Sequence, residues 1–178
     1  MPTEEPARPL PNTYWVSPGR FLAGGYPGVG SNVETRLALR RLLLTGLTFF
    51  LDLTEEGEYG VEPYARVLSE EAGLLGRSIQ YCRVAIPDGD VPSIEDMVRI
   101  LDTVDAALAA GGVVYLHCFA GVGRTATAVG CYLVRHGLEG QAALREVYRL
   151  RYGRRVWWKR PGPNMPQQAM VRNWRAGM

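Results

Sequence analysis

A cysteine and an arginine six positions apart are the residues of this chain whose types and spacing best suggest chemistry. Cys118 and Arg124 bracket a loop of small or apolar residues, and the stretch reads His117-Cys118-Phe119-Ala120-Gly121-Val122-Gly123-Arg124-Thr125. The apolar run before it predicts a buried strand, and the apolar residues 126–134 after it predict a helix. A loop between a strand and a helix N-terminus directs N–H groups and the helix dipole at one point, which favours an anion.

These residue types predict phosphate chemistry through a thiolate. Cys118 would be the nucleophile, because the loop N–H groups, the helix N-terminus and Arg124 all stabilise its charged form. The guanidinium of Arg124 can hold a phosphate with two hydrogen bonds. Thr125 is either the first hydroxyl of the helix or a donor to the departing thiolate, and these roles are compatible. We expect His117 to point away from the pocket and to orient the loop through hydrogen bonds.

The same stretch resembles the signature of the cysteine-dependent protein tyrosine phosphatase superfamily, Cys-x5-Arg followed by Ser or Thr. The segment 15–24 is similar to the start of small dual-specificity phosphatases, and the resemblance extends from about Tyr14 to Trp174. It implies a phosphatase-like fold and a cysteinyl-phosphate intermediate, with no cofactor and no metal. The residues that would bind the phosphate are Phe119, Ala120, Gly121, Val122, Gly123 and Arg124.

Cleavage of a phosphate ester also needs a proton for the leaving oxygen. The segment 86–93 offers Asp88 and Asp90 and resembles the general-acid loop of the family, whose pattern is Pro-Asp-x-Gly-Val-Pro. Asp88 matches the acid, and Asp90 remains the alternative because the glycine and the second acid stand in a different order. The segment 160–168 resembles the late loop in which an amide orients the hydrolytic water. Asn164 and Gln168 are the candidates for that amide.

Two further groups of residues have more ordinary interpretations. Asp52 leads into the acidic stretch 54–58, which we interpret as a solvated loop. The alternative is that this loop borders the pocket or holds an arginine. Cys82 and Cys131 have apolar neighbours and are interpreted as core residues, with a regulatory disulfide to Cys118 as the alternative.

Length and composition bound the class of protein. The 178 residues suffice for one domain, which we place at 14–178 after a flexible segment at 1–13. Three cysteines argue against a disulfide framework and favour a reducing compartment, so we expect a cytoplasmic protein. No run approaches 18 apolar residues, which predicts no membrane span. The stretch 145–175 carries nine basic residues and one acid. We interpret it as a solvated face rather than a nucleic-acid site. The alternative is that these residues raise the positive potential around the phosphate pocket.

Strand and helix signals alternate along the chain. This alternation predicts an α/β fold with a central, mainly parallel twisted sheet of about 4–5 strands and helices on both faces. The predicted strands are 14–16, 21–23, 48–53, 79–86 and 113–116. The predicted helices are 31–44, 62–72, 94–110, 126–136, 139–151 and 166–174. Ligands bind beyond the carboxyl ends of parallel strands, so chemistry is expected in the loops after Leu53, Ile86 and His117.

The sequence therefore predicts a phosphatase that hydrolyses phosphate monoesters, phosphotyrosine and also phosphoserine or phosphothreonine in proteins. An inositol phosphate or phosphoinositide phosphatase with the same mechanism is the alternative. The apolar side chains of Phe119, Ala120 and Val122 favour a phosphoprotein, because loops for highly charged substrates tend to be basic. A catalytically weak phosphate-binding module is the remaining alternative, which Cys118, Arg124 and an acid together disfavour.

Overall fold

A five-stranded sheet forms the centre of the protein in the computed structural model, which describes residues 6–153 and 161–178. The strands are β1 (Tyr14–Ser17), β2 (Phe21–Gly24), β3 (Phe49–Asp52), β4 (Gln80–Arg83) and β5 (Val114–His117). Their spatial order is β1-β2-β5-β3-β4, and only the β1–β2 pair is antiparallel. The predicted α/β fold with a mainly parallel sheet is confirmed.

Six α-helices lie within the described residues. They are α1 (Asn32–Leu44), α2 (Ala65–Leu74), α3 (Ile94–Ala109), α4 (Arg124–Arg135), α5 (Gly140–Tyr152) and α6 (Met165–Asn173). A short 3₁₀ turn, Glu58–Gly60, lies between β3 and α2. Helix α1 begins with a capping box, in which Ser31 and Glu34 each accept the main-chain N–H of the other. None of the described helices is long and apolar enough to cross a membrane.

Both faces of the sheet are covered by apolar helix surfaces. Along β5, Val114 and Leu116 belong to the cluster built with α3, α4, α5 and α6. Tyr115, between them, belongs to the cluster on the opposite face, built with α1 and α2. Successive side chains of a strand point to opposite faces, so a central parallel strand must be apolar at every position. This is why the strand that precedes the Cys118 loop reads as an unbroken apolar run.

Two predicted element boundaries differ from the structure by three residues, and the others differ by two residues or fewer. Helix α2 begins at Ala65 rather than Glu62. It continues through Gly73, because Gly73 does not take the positive φ with which a glycine typically ends a helix. Gly76, with a φ of +62°, is the residue at which the chain turns. Strand β4 ends at Arg83 rather than at residue 86, because it pairs only with β3, whose last residue is Asp52.

Residues 6–13 of the segment predicted to be flexible contact the rest of the domain in the structure. Leu10 is buried in the cluster that contains α1 and α2. Arg8 donates hydrogen bonds of 3.0 Å and 2.7 Å to the carbonyls of Arg151 and Leu150 at the end of α5. The last carbonyls of a helix have no intrahelical donor, so a guanidinium there fixes both segments.

The carboxyl ends of the central strands lie side by side. Asp52 at the end of β3 is opposite both His117 of β5 and Arg83 of β4, and Gly24 of β2 is also opposite His117. The loops that follow these strands therefore meet at one edge of the sheet, as expected for a ligand site in an α/β fold.

Close packing of α6 against α5 yields a stability prediction. A Cβ at Gly140 would lie 2.6 Å from the Arg172 Cα and 2.7 Å from the Val171 carbonyl oxygen, so the backbone of α6 would have to shift. We expect Gly140→Ala to lower the free energy of unfolding by about 1–3 kcal/mol in urea denaturation. Gly73→Ala is the control, because open space surrounds this helical position and alanine should stabilise it by about 0.5–1 kcal/mol. Equal effects of the two substitutions would contradict the packing argument.

Candidate active site

The loop between β5 and α4 has the form of an anion-binding cradle. Cys118 is buried at its start, and α4 begins at Arg124. The N–H groups of residues 120–123 make no hydrogen bond within the part of the chain that the structure describes. Unpaired N–H groups at a helix N-terminus are donors that an anion can satisfy. The strand, loop and helix predicted around Cys118 are all present.

Contacts with neighbouring strands fix the shape of this loop. Gly121 has a φ of +68°, and a Cβ there would lie 2.4 Å from the main chain of Gly24, so only glycine fits. The Thr125 hydroxyl accepts the N–H of Cys118 at 2.8 Å and donates to the Gly24 carbonyl at 3.1 Å. Arg151 donates a hydrogen bond to the Gly121 carbonyl from the last turn of α5. The loop is held before any ligand arrives.

Arg124 is 1% exposed, and acceptors from two other loops surround its guanidinium. Nη1 donates to Glu58 Oε2 and to the Ile86 carbonyl, each at 2.7 Å. Nη2 donates to Glu58 Oε1 at 2.5 Å and to Asp88 Oδ1 at 2.9 Å. Burial acts to lower the pKa of Arg124, but the hydrogen bond to Glu58 and the neighbouring negative charges together raise it above its usual value, so the group stays protonated.

The Nε atom of Arg124 is also buried, and it has no hydrogen-bond partner among the described residues. An unpaired buried donor on a charged group is unfavourable, because the desolvation of that N–H is not compensated. The guanidinium therefore has one donor left for a ligand, on the first residue after the loop. An anion in the cradle would satisfy both this donor and the loop N–H groups.

Asp88 reaches the site from the loop after β4. Its side chain is 52% exposed, and its Oδ2 accepts a hydrogen bond of 2.5 Å from the Tyr59 hydroxyl while Oδ1 pairs with Arg124. The hydrogen bond from Tyr59 and the charge of Arg124 both lower the pKa of Asp88. In this arrangement the carboxyl is ionised. The side chain of Asp90 is exposed and makes no hydrogen bond or ion pair among the described residues.

The two amide candidates from the late loop have structural contacts. Asn164 caps α6 by accepting the N–H of Gln167, and its Nδ2 donates to the Gly89 carbonyl at 2.7 Å. Gln168 donates to the Pro163 carbonyl at 2.8 Å and accepts from an arginine of α6. Asn164 therefore contacts the loop of Asp88, whereas Gln168 contacts only its own segment.

Gln167 was missed by the sequence reasoning, although it is the late-loop amide that lies against the cradle. It is buried, and its Oε1 would be 2.8 Å from a Cβ at Gly123. Its Nε2 donates to the Asp90 carbonyl at 3.1 Å, and its Oε1 accepts the Asn164 N–H at 3.0 Å. Gln167 thus ties α6 to both the cradle and the loop of Asp88. The Asn164-x-x-Gln167 spacing of a capping box was the signal that could have found it.

His117 supports the cradle from inside the core. Its Nδ1 lies 3.1 Å from the Cys118 carbonyl oxygen, and its Nε2 lies 2.6 Å from the Tyr64 hydroxyl. Burial lowers the pKa of His117, so the ring is neutral at pH 7. A carbonyl can only accept, which assigns the proton to Nδ1 and makes Nε2 the acceptor from Tyr64. His117 therefore contacts the main chain of the loop from inside the core.

The solvated-loop interpretation is wrong for Asp52, Thr54 and Glu58, whereas residues 55–57 are exposed. Asp52 is fully buried and accepts hydrogen bonds from Thr54 and from the Tyr81 hydroxyl. Glu58 holds Arg124 and is itself 7% exposed. The alternative reading, in which this loop borders the pocket and holds an arginine, describes the structure. The apolar strand β3 ends at the edge of the sheet where Arg124 needs acceptors. The fold, rather than the local sequence, brings Glu58 to that edge.

The other two cysteines differ in their surroundings. Cys131 lies in the apolar core, where burial raises the pKa of its thiol to about 12. A thiol with so high a pKa is inert toward oxidation at neutral pH. Cys82 is half-buried on β4, and all three cysteines are free. The core interpretation of Cys131 therefore agrees with its environment.

Solved structures share this fold. Tk-PTP in its active form superposes with a TM-score of 0.69 and 22% sequence identity, covering 90% of this chain and 93% of that chain. PTPMT1 in complex with PI(5)P superposes with a TM-score of 0.71 and 18% identity, covering 92% of this chain and 94% of that chain. The α/β sheet with its cradle therefore has the architecture of the protein tyrosine phosphatase-like enzymes.

A family model described as polymorphic toxin system, DSP-PTPase phosphatase, matches residues 31–138. This range is more than half of the chain, and the chain belongs to that family of cysteine-dependent, dual-specificity-type phosphatases. The human dual specificity protein phosphatase CDC14A is 25% identical over 122 residues, 68% of this chain and 19% of that protein. Mouse CDC14B is 40% identical over 53 residues, 28% of this chain and 10% of that protein. The chain spans about a fifth of the length of CDC14A.

The buried pair of Glu58 and Arg124 yields a second stability prediction. Glu58→Gln removes the charge that compensates the buried guanidinium, so we expect the free energy of unfolding to fall by about 3 kcal/mol in urea denaturation. Glu55→Gln, three residues earlier on the exposed part of the same loop, should change it by less than about 0.5 kcal/mol. If both variants were equally stable, Glu58 would not be the compensating group.

Proposed function

We propose that the protein hydrolyses phosphate monoesters by nucleophilic attack of the Cys118 thiolate on phosphorus. The observation that carries this proposal is that the loop between Cys118 and Arg124 leaves its N–H groups unpaired among the described residues, together with the buried Nε of Arg124. A sulfur–phosphorus bond forms as the ester bond breaks, and a cysteinyl phosphate results. Loop N–H groups and the guanidinium stabilise the charge on the transferring phosphoryl oxygens.

The hydrogen-bond pattern of Arg124 supports a specific mode of phosphate binding. Glu58 takes the two parallel N–H bonds at the end of the guanidinium, one from each Nη. The second N–H of Nη2 then runs parallel to Nε–H, and this edge suits two oxygens of a phosphate. Asp88 Oδ1 occupies Nη2. A phosphate would therefore displace Asp88 from Arg124 and leave Glu58 in place.

Displacement of Asp88 provides a route to the general acid. Asp88 is ionised while Arg124 and Tyr59 donate to it, which is the wrong form for an acid. Loss of the Arg124 contact, together with a dianionic phosphate nearby, raises the pKa of Asp88 and favours the protonated form. Asp88 then gives its proton to the leaving oxygen and, as a carboxylate, accepts a proton from the water that hydrolyses the cysteinyl phosphate.

Thr125 and His117 are proposed to position the nucleophile. Thr125 accepts the N–H of Cys118, and His117 donates to its carbonyl, so both main-chain groups of the cysteine are held. The hydroxyl proton of Thr125 is directed at Gly24, and donation to the thiolate requires it to rotate toward Cys118.

Phosphoproteins are the proposed substrates. The cradle side chains Phe119, Ala120 and Val122 supply no cation for the additional phosphates of an inositol polyphosphate. The neighbour PTPMT1 was solved with PI(5)P, so a phosphoinositide belongs in the same substrate panel as phosphotyrosine and phosphothreonine peptides. We propose a cytoplasmic location, because a thiolate nucleophile needs a reducing compartment.

The nucleophile is tested by substitution. Cys118→Ser should lower kcat for p-nitrophenyl phosphate by at least about 1,000-fold, and the wild-type protein should keep its activity in EDTA and lose it to vanadate. Cys82→Ser is the matched control, because it removes a half-buried thiol from β4. Activity retained by Cys118→Ser would refute the thiolate mechanism.

The acid is tested with two variants of one loop. Asp88→Asn should lower kcat/KM, which covers only the steps up to formation of the cysteinyl phosphate, by about 100-fold or more on phenyl phosphate, whose leaving group needs a proton, and much less on p-nitrophenyl phosphate. Asp90→Asn should behave as wild type on both substrates, because its side chain is exposed and lacks contacts. The reverse pattern would assign the acid to Asp90.

A further inference from the structure

The turn between β3 and α2 places Tyr59 over the active site in an unusual conformation. Tyr59 has a φ of +54° and a ψ of +21°, and it is the one non-glycine residue with a positive φ in the described ranges. Gly57 and Gly60 on either side also have positive φ. A bulky side chain disfavours this region, so an unstrained turn would not carry tyrosine here.

The side chain of Tyr59 contacts the site at both ends. Its ring lies 4.6 Å from the ring of Phe119, centroid to centroid, on the rim of the cradle. Its hydroxyl donates to Asp88 Oδ2. The residue is otherwise 66% exposed, so the core contributes little to holding it in place. The strained turn is therefore associated with two contacts, and both lie at the reaction site.

We propose that Tyr59 is a positioning residue for the general acid, holding Oδ2 of Asp88 so that Oδ1 faces the phosphate pocket. This role rests on the proposed function, in which Asp88 is the acid. Oδ1 now contacts Arg124, the group that would bind the phosphate. When the phosphate takes that place, Oδ1 is left beside the ester oxygen. Tyr59 can keep its hydrogen bond to Oδ2 throughout.

The proposed contribution of Tyr59 depends on the leaving group. As the ester bond breaks, the proton on Oδ1 passes to the leaving oxygen and Asp88 becomes a carboxylate. Tyr59 keeps its own proton, and its hydrogen bond to Oδ2 strengthens as the negative charge develops. A leaving group that departs without a proton gains nothing from this stronger hydrogen bond between Tyr59 and Asp88. The benefit is therefore confined to basic leaving groups.

The same contact sets a pH dependence. The charged or titratable groups that face Asp88 are Tyr59 from the turn and Arg124 from α4, with Glu58 behind the guanidinium. The α6 contact to this loop, from Asn164, is uncharged. Removal of the Tyr59 hydroxyl takes away a donor to the carboxylate, so the pKa of Asp88 rises. The basic limb of kcat/KM should consequently move to higher pH.

Tyr59→Phe tests the proposal because it keeps the ring and removes the hydroxyl. We expect kcat/KM to fall about tenfold on phenyl phosphate and less than about twofold on p-nitrophenyl phosphate, with the basic limb of kcat/KM shifted to higher pH. Tyr132→Phe is the control. Tyr132 is half-buried on α4, eight residues beyond Arg124, and its hydroxyl makes no hydrogen bond among the described residues. The Tyr132→Phe variant should therefore match wild type on both substrates.

The outcomes separate this proposal from the function on which it rests. Equal losses on the two substrates, or no loss on either, would overturn the role of Tyr59 if Asp88→Asn still discriminates between them. If Asp88→Asn does not discriminate, the assignment of the acid fails and the role of Tyr59 fails with it. Circular dichroism of Tyr59→Phe establishes that the variant is folded.

Discussion

A guanidinium cannot be buried unless acceptors surround it, and this constraint organises the active site. Arg124 opens α4 at the edge of the sheet, where it is almost completely excluded from solvent. The loop after β3 supplies Glu58, and the loop after β4 supplies the Ile86 carbonyl and Asp88. Three loops are therefore drawn together by one side chain. The N–H that remains unpaired is the one that a phosphate would use.

The parts of the site that are local in sequence could be predicted, and the parts that depend on long-range contacts could not. Cys118 and Arg124 lie on one loop, so their spacing alone defines the cradle. Glu58 stands in an acidic stretch that looks solvated, because the sequence does not say that the sheet brings it to Arg124. Gln167 was missed for the same reason. Its capping signal is local, but its contact with Gly123 comes from the packing of α6.

Both ends of the described chain support the cradle. Arg8 fixes the end of α5, and Arg151 in the last turn of that helix holds the Gly121 carbonyl. From the other side, Asn164 and Gln167 of α6 hold the main chain of the Asp88 loop. The predicted strands and most helices follow from apolar periodicity. The polar connections between distant segments do not follow from it, because periodicity does not specify which distant partner a polar side chain contacts.

The ion pair between Arg124 and Asp88 also bears on which esters the site accepts. A ligand must displace a carboxylate that already carries one negative charge. A phosphodiester carries one charge as well, so it would replace one monoanion with another and gain little electrostatic energy. A monoester dianion brings a second charge to the same guanidinium and to the loop N–H groups. Under the proposed function, the resting contact would thus disfavour diesters before any chemistry begins.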